Sequence, residues 1–362
     1  MSIMQTYHEI RQSLWFDGIP LSLLNSDRLR TAMEAGVTSG LVFNTSAFEW
    51  AIKNSRTYDA SIRQKLGEGF IGEELFLELA VEDARKAADL LRFIYDETDG
   101  VDGWVSLDVS PRTFDNPSHL AKAAAEIYGR VRRPNVMMKV PGTKDGNIAV
   151  VEAVSGGVPV NITNLFSAKQ VRAAVEAYLK GVERRIKAGL KPDPGSAVSF
   201  YTSAWEAERI GKGSIGNGRQ HGVDIFQRTY NHWRTAVQSP RWKRVCRDAA
   251  RPIRLLCEGS EINTPDWLKA LSVKKLASPF TVFTLHEKRS NPSKKNKGND
   301  SPIQTDEKES DEALSCVVRA GIHIDHMAEV FQKDAVSIFE KGWFDVMTAI
   351  ARKSAALIQA GR

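Results

Sequence analysis

Short apolar runs alternate along this chain with longer stretches whose apolar residues recur every three or four positions. The short runs fall at residues 14–18, 40–44, 103–109, 135–140, 158–163, 197–202, 253–257 and 280–285. A run of this length, apolar throughout rather than alternating, fits a strand buried on both faces of a parallel sheet. Between the runs, residues 74–96, 168–188 and 334–360 carry a helical spacing of apolar positions. Strands alternating with helices predict parallel βαβ units. Eight such strands are the number that closes a (β/α)₈ TIM barrel, read here as a single domain of 1–362 with extra helices.

One segment breaks the texture. Residues 287–312 (EKRSNPSKKNKGNDSPIQTDEKESDE) hold almost no large apolar side chain, so they cannot offset their ordering entropy by burial. They read as a mobile polar insertion. Composition excludes more than it assigns. Hydrophobic residues make up 42% of the 362, enough for a sizeable core. No window approaches the roughly 18 apolar residues of a membrane span. The first twenty residues lack a basic segment followed by an apolar one, so they do not read as a signal peptide. Three scattered cysteines, Cys246, Cys257 and Cys316, form no CxxC pair and fit a reducing cytoplasm. The net charge of +6 is spread over helix faces and residues 288–297, without the aromatic-studded groove that binds nucleic acid.

The chemistry lies at strand ends. A barrel strand should be apolar where it fills the interior, and polar where it reaches the C-terminal mouth. LWFDG ends on Asp17, GLVFNTS on Asn44, and GWVSLDVSP carries Ser106 and Asp108. VMMKVPGT carries Lys139, VPVNITN carries Asn161 and Thr163, and AVSFYTS carries Ser199, Tyr201 and Thr202. If the barrel closes, these converge on one rim. Lys139 stands among Val136, Met137, Met138 and Val140. Burial there should lower its pKa and expose a free amine, a nucleophile toward a carbonyl. Spacing alone favours a lysine that snorkels to solvent or pairs with a carboxylate.

At these residues the sequence resembles the transaldolase family. MMKVPGTKDG is similar to the family's Schiff-base strand, WFDGIPLSLL to its first-strand motif, and GLVFNTSAFEWAI to its second. GWVSLDVSPR, VPVNITNLFSAKQVRAAVEAYLKGVE and the terminal helix follow in the same order. The resemblance implies that Lys139 captures a ketose carbonyl as an imine and that Asp17 serves as general base. It implies that Asp108 and Thr163 manage water and protons. Asn44, Asn161, Ser199 and Tyr201 would contact the sugar. It implies a three-carbon transfer on a sugar or sugar phosphate, with no metal and no cofactor, in a monomer or homodimer.

The departures are specific. The family's third-strand Glu is here Asp108, and Thr45-Ser46 replaces a Pro-Thr after Asn44. Ala204 stands where the resemblance would put a phosphate-gripping Arg, and Arg209 lies five residues on. The seventh strand leads into a loop read as Glu258 to Asn263, with Glu258 and Glu261 unfavourable to phosphate. Tyr201 matches the fructose-6-phosphate aldolases rather than the usual Phe. Three readings therefore stand: a transaldolase-like transferase, an aldolase, and a barrel that binds sugar without catalysis. Two motifs are set aside. Residues 211–216 match G-x-G-x-x-G but follow a helical segment rather than a strand. His323, Asp325 and His326 lack zinc-ligand company, and Asp325 reads as a helix cap.

Overall fold

The computed structural model describes residues 12–18, 24, 27–207, 218–258, 280–286 and 323–360. Within these, eight strands close into a parallel barrel in sequence order. They are β1 (Ser13–Asp17), β2 (Gly40–Val42), β3 (Val105–Asp108), β4 (Val136–Pro141), β5 (Val160–Leu165), β6 (Ser196–Tyr201), β7 (Arg254–Glu258) and β8 (Val282–His286). Every predicted strand is present, with ends shifted by only a few residues. The 287–312 insertion, Glu261, Arg209 and the 211–216 glycine motif lie outside the described residues.

Helices surround the barrel: α1 (Asp27–Glu34), α2 (Thr45–Asn54), α3 (Asp59–Gly67), α4 (Gly72–Glu97), α5 (Pro117–Val131) and α6 (Lys144–Ser155). They continue as α7 (Ala168–Lys187), α8 (Ser203–Ala207), α9 (Gly218–Val237), α10 (Pro240–Arg247) and α11 (Ile324–Gln359). None of the described helices is long and apolar enough to cross a membrane. The closing helix α11 begins ten residues before its predicted start at 334. Asp325 therefore lies in its first turn, where a carboxylate favours the helix dipole, and His323 occupies the cap position. His323, not Asp325, is thus the N-cap residue, and its side chain makes no capping bond.

Alternation sorts each strand's side chains into two sets. One set faces the helices: Leu41, Val105, Val136, Val160, Val198 and Leu255 belong to the main core, together with Leu79, Ala84, Ala124, Val150 and Val175 from the helices. The other set fills the barrel in layers. The middle layer is apolar: Trp15, Val42, Trp104, Met137, Ala197, Leu256 and Val282. Two tryptophans fit there because glycines face them. A Cβ on Gly195 would come within 2.2 Å of the Trp104 ring, and one on Gly40 within 2.5 Å of Trp15.

The layer below is an ionic plug. Asp102 accepts from Trp15 Nε1 at 2.7 Å, from Ser39 Oγ at 2.9 Å, and from Ser13 Oγ. Arg254, opposite at 3.5 Å, also donates to Ser13 Oγ and to the carbonyls of Val101 and Thr281. Both charges are buried. Burial holds the Arg254 guanidinium below its ordinary pKa despite Asp102. Removing one partner of a buried pair strands the other. Arg254→Met should cost about 3–5 kcal/mol in urea unfolding. Much of that loss should be recovered in the double variant with Asp102→Asn.

Candidate active site

The layer above the tryptophans is polar, and it faces the C-terminal mouth. Register sets it up: Asp108 of β3 pairs with Lys139 of β4, and Lys139 with Asn161 of β5. Lys139 Nζ lies 3.2 Å from Asp108 Oδ1 and donates to the backbone carbonyl of Phe43. The shorter carboxylate of Asp108 thus reaches the lysine directly.

Electrostatics corrects one expectation. Burial does work against the Lys139 ammonium, but Asp108, Asp17 and Glu258 outweigh it, so its pKa is raised rather than lowered. Asp108 is pushed upward by burial, with Lys139 pulling it back only in part. The amine is therefore a proton store facing carboxylates that resist ionisation.

Asn44 has two duties. Its Oδ1 accepts from Ala47 N at 2.9 Å and caps α2, while its Nδ2 donates to Asp17 Oδ1 at 3.0 Å. Ser46 Oγ also donates to Asn44 Oδ1, at 2.8 Å. The cap supplies what a Pro-Thr turn would otherwise fix. Gly18, at φ +76°, turns the chain directly after Asp17, and a Cβ there would sit 3.1 Å from the Asn44 amide nitrogen. Asp17 itself is buried.

Asn161, Ser106 and Ser199 form a closed relay across three strands. Asn161 Nδ2 donates to Ser106 Oγ at 2.9 Å, and Ser199 Oγ donates to Asn161 Oδ1 at 2.6 Å. All three are buried. Ser199 thus orients Asn161. Thr163 sits beside a register shift between Ile162 and Leu165, where Asn164 adopts a left-handed conformation. Gln332 of α11 donates to the carbonyls of Asn164 and Gly142, tying that helix to the ends of β4 and β5.

Tyr201 and Glu258 complete the layer. They are register partners on β6 and β7, and the Tyr201 hydroxyl is hydrogen-bonded to the Glu258 carboxylate. Glu258 is thus the last residue of a strand rather than part of a loop, and only 8% of it is exposed. Burial, with Asp17 adding to it, pushes its carboxyl up to about 8. Sequence reasoning missed this placement, although RLLCE has the same form as SLWFD, an apolar run closing on a carboxylate. Ala204 lies in α8, half-buried against the core.

A family model described as transaldolase/fructose-6-phosphate aldolase matches residues 14–350. The chain belongs to that family. It is a transaldolase-type enzyme, a transferase, which sets aside the non-catalytic barrel. Among curated relatives, a transaldolase of Frankia alni is 28% identical over 94% of both chains. A transaldolase 1 of Streptomyces avermitilis is 29% identical, covering 94% of this chain and 92% of its own. A transaldolase of Mycobacterium bovis reaches 32% over 76% of each.

For this transaldolase-family site, the two duties of Asn44 can be separated. Asn44→Ser keeps a capping oxygen and loses the amide donated to Asp17, whereas Asn44→Ala loses both. Both should lose activity alike, while only Asn44→Ala should lose about 1 kcal/mol of stability in chemical denaturation.

Proposed function

We propose that this enzyme moves a dihydroxyacetone-type fragment from a ketose to an aldose through an imine on Lys139. The observation that carries this reading is the Lys139 amine, its side chain only 11% exposed and 3.2 Å from Asp108, in a polar layer sealed below by tryptophans. The ammonium first gives a proton to Asp108, whose raised pKa suits it to accept one. The free amine adds to the ketose C2 carbonyl. The resulting carbinolamine loses water, with Asp108 returning the proton and Thr163 steering the water. Asp17 then takes the proton of the C4 hydroxyl, and the C3–C4 bond breaks. Its electron pair flows to the imine nitrogen, giving an enamine, and the C4 carbon departs as an aldehyde. The enamine adds to an acceptor aldehyde, Asp17 returns the proton, and water releases the new ketose. Asn44, Asn161, Ser199 and Tyr201 hold the donor's hydroxyls or the groups that contact them.

Ala204 argues for sugars that carry no phosphate at that end. Tyr201 favours a second reading, aldolase turnover. Its hydroxyl, buried beside Glu258, suits a water that hydrolyses the imine without an acceptor. Product analysis with and without an aldehyde distinguishes the two. Transfer predicts a crossed ketose formed only with the acceptor, and aldolase turnover predicts sustained release of dihydroxyacetone from ketose alone.

Asp108→Asn supplies a sharper test. Removing that charge takes away the nearest group that holds the Lys139 proton, so the Lys139 pKa should fall, and with no internal acceptor the rate should rise with pH through that lowered pKa. Losing the shuttle should slow imine formation about 10²–10⁴-fold in pre-steady-state mixing. A rate loss with an unmoved pH profile would contradict the assigned role.

A further inference from the structure

Glu258 takes no part in the imine steps, yet it stands inside the site. It ends β7 beside Tyr201, accepts that hydroxyl's hydrogen bond, and is anchored by Thr202 Oγ1 donating to its carbonyl at 3.1 Å. The groups facing it are Asp17 from β1, Asp108 from β3, Lys139 from β4 and Tyr201 from β6. Three carboxylates thus share one amine, and that amine gives up its charge in order to react. Among the described residues of this polar layer, neither an arginine nor a second lysine offsets them.

A phosphate monoester on a sugar held here would bring roughly two further negative charges into the field of these carboxylates. Like charges in a low-dielectric pocket repel strongly. A neutral sugar brings hydroxyl donors, which carboxylate and phenol oxygens can accept. We propose that Glu258, with Tyr201, is the specificity-determining pair that selects neutral, hydroxyl-rich sugars and turns away phosphate esters. The inference rests on the reading of this layer as the sugar site.

Selection by Glu258 has a pH signature. Its carboxyl titrates at about 8, so its negative charge appears as pH climbs through that value. A phosphate monoester is already dianionic above pH 7, with its second pKa near 6. The discrimination should therefore strengthen between pH 7 and 9 through Glu258. Lys139, held protonated by the same carboxylates, keeps its charge across that range.

The test compares kcat/KM for D-fructose and D-fructose 6-phosphate, each with D-erythrose as acceptor, in wild type, Glu258→Gln and Glu258→Asp. Wild type should prefer the neutral ketose, and the preference should grow about tenfold from pH 7 to 9. Glu258→Gln should flatten that dependence and lower the preference through the KM of the phosphate ester, with Glu258→Asp restoring the pH slope. Calorimetric titration with sorbitol and sorbitol 6-phosphate reads the same selection on Lys139→Met, where no imine can form. An unchanged preference and slope in Glu258→Gln would overturn the inference while leaving the imine reading intact. Full turnover by Lys139→Met would overturn the imine reading, and polyol discrimination that collapses in Glu258→Gln would still uphold this one.

Discussion

The structure depends on burying one lysine among carboxylates inside a barrel. An ammonium removed from water costs several kcal/mol unless charge and hydrogen bonds replace its hydration. Lys139 finds both, in Asp108 at 3.2 Å and in the Phe43 carbonyl, with Asp17 and Glu258 adding field from across the mouth. The arrangement favours the protonated amine and keeps the Asp108 carboxylate in contact with it. On the proposed imine reading, nucleophile activation is a proton transfer between neighbours rather than a lowered lysine pKa.

The barrel supports this cluster by separating its polar layers. The ionic plug of Asp102 and Arg254 closes one end, a layer of tryptophans and aliphatic residues fills the middle, and the Lys139 cluster occupies the other end. The apolar layer excludes water from beneath Lys139 and leaves the mouth as the approach to it. Side chains in the upper layer hold one another: Ser199 orients Asn161, Ser106 receives its amide, and Asn44 joins Asp17 to the start of α2. Each link connects different strands, so the geometry belongs to the closed barrel rather than to any one element.

Much of this was legible in the sequence, for a physical reason. Parallel strands buried on both faces are apolar runs, and a polar residue closing such a run has few places to point except the mouth. Asp17, Asp108, Lys139 and Asn161 could be read that way. The direction of the Lys139 shift could not, because it sums charges from strands far apart in the chain. Glu258 was hidden by its place beside a loop, where a carboxylate looks solvated. The plug was hidden because Asp102 and Arg254 lie 152 positions apart and meet only when the barrel closes. The early start of α11 escaped notice because its first turns carry exposed His323, Asp325 and His326 rather than a clear apolar stripe.

The central claim is that Lys139 carries the substrate covalently. Borohydride reduction in the presence of dihydroxyacetone, followed by peptide mass spectrometry, tests it most directly. A single reduced adduct on Lys139, absent from Lys139→Met, is the expected result. A folded protein that yields no adduct across neutral and phosphorylated ketoses, or one modified at another lysine, would contradict the account.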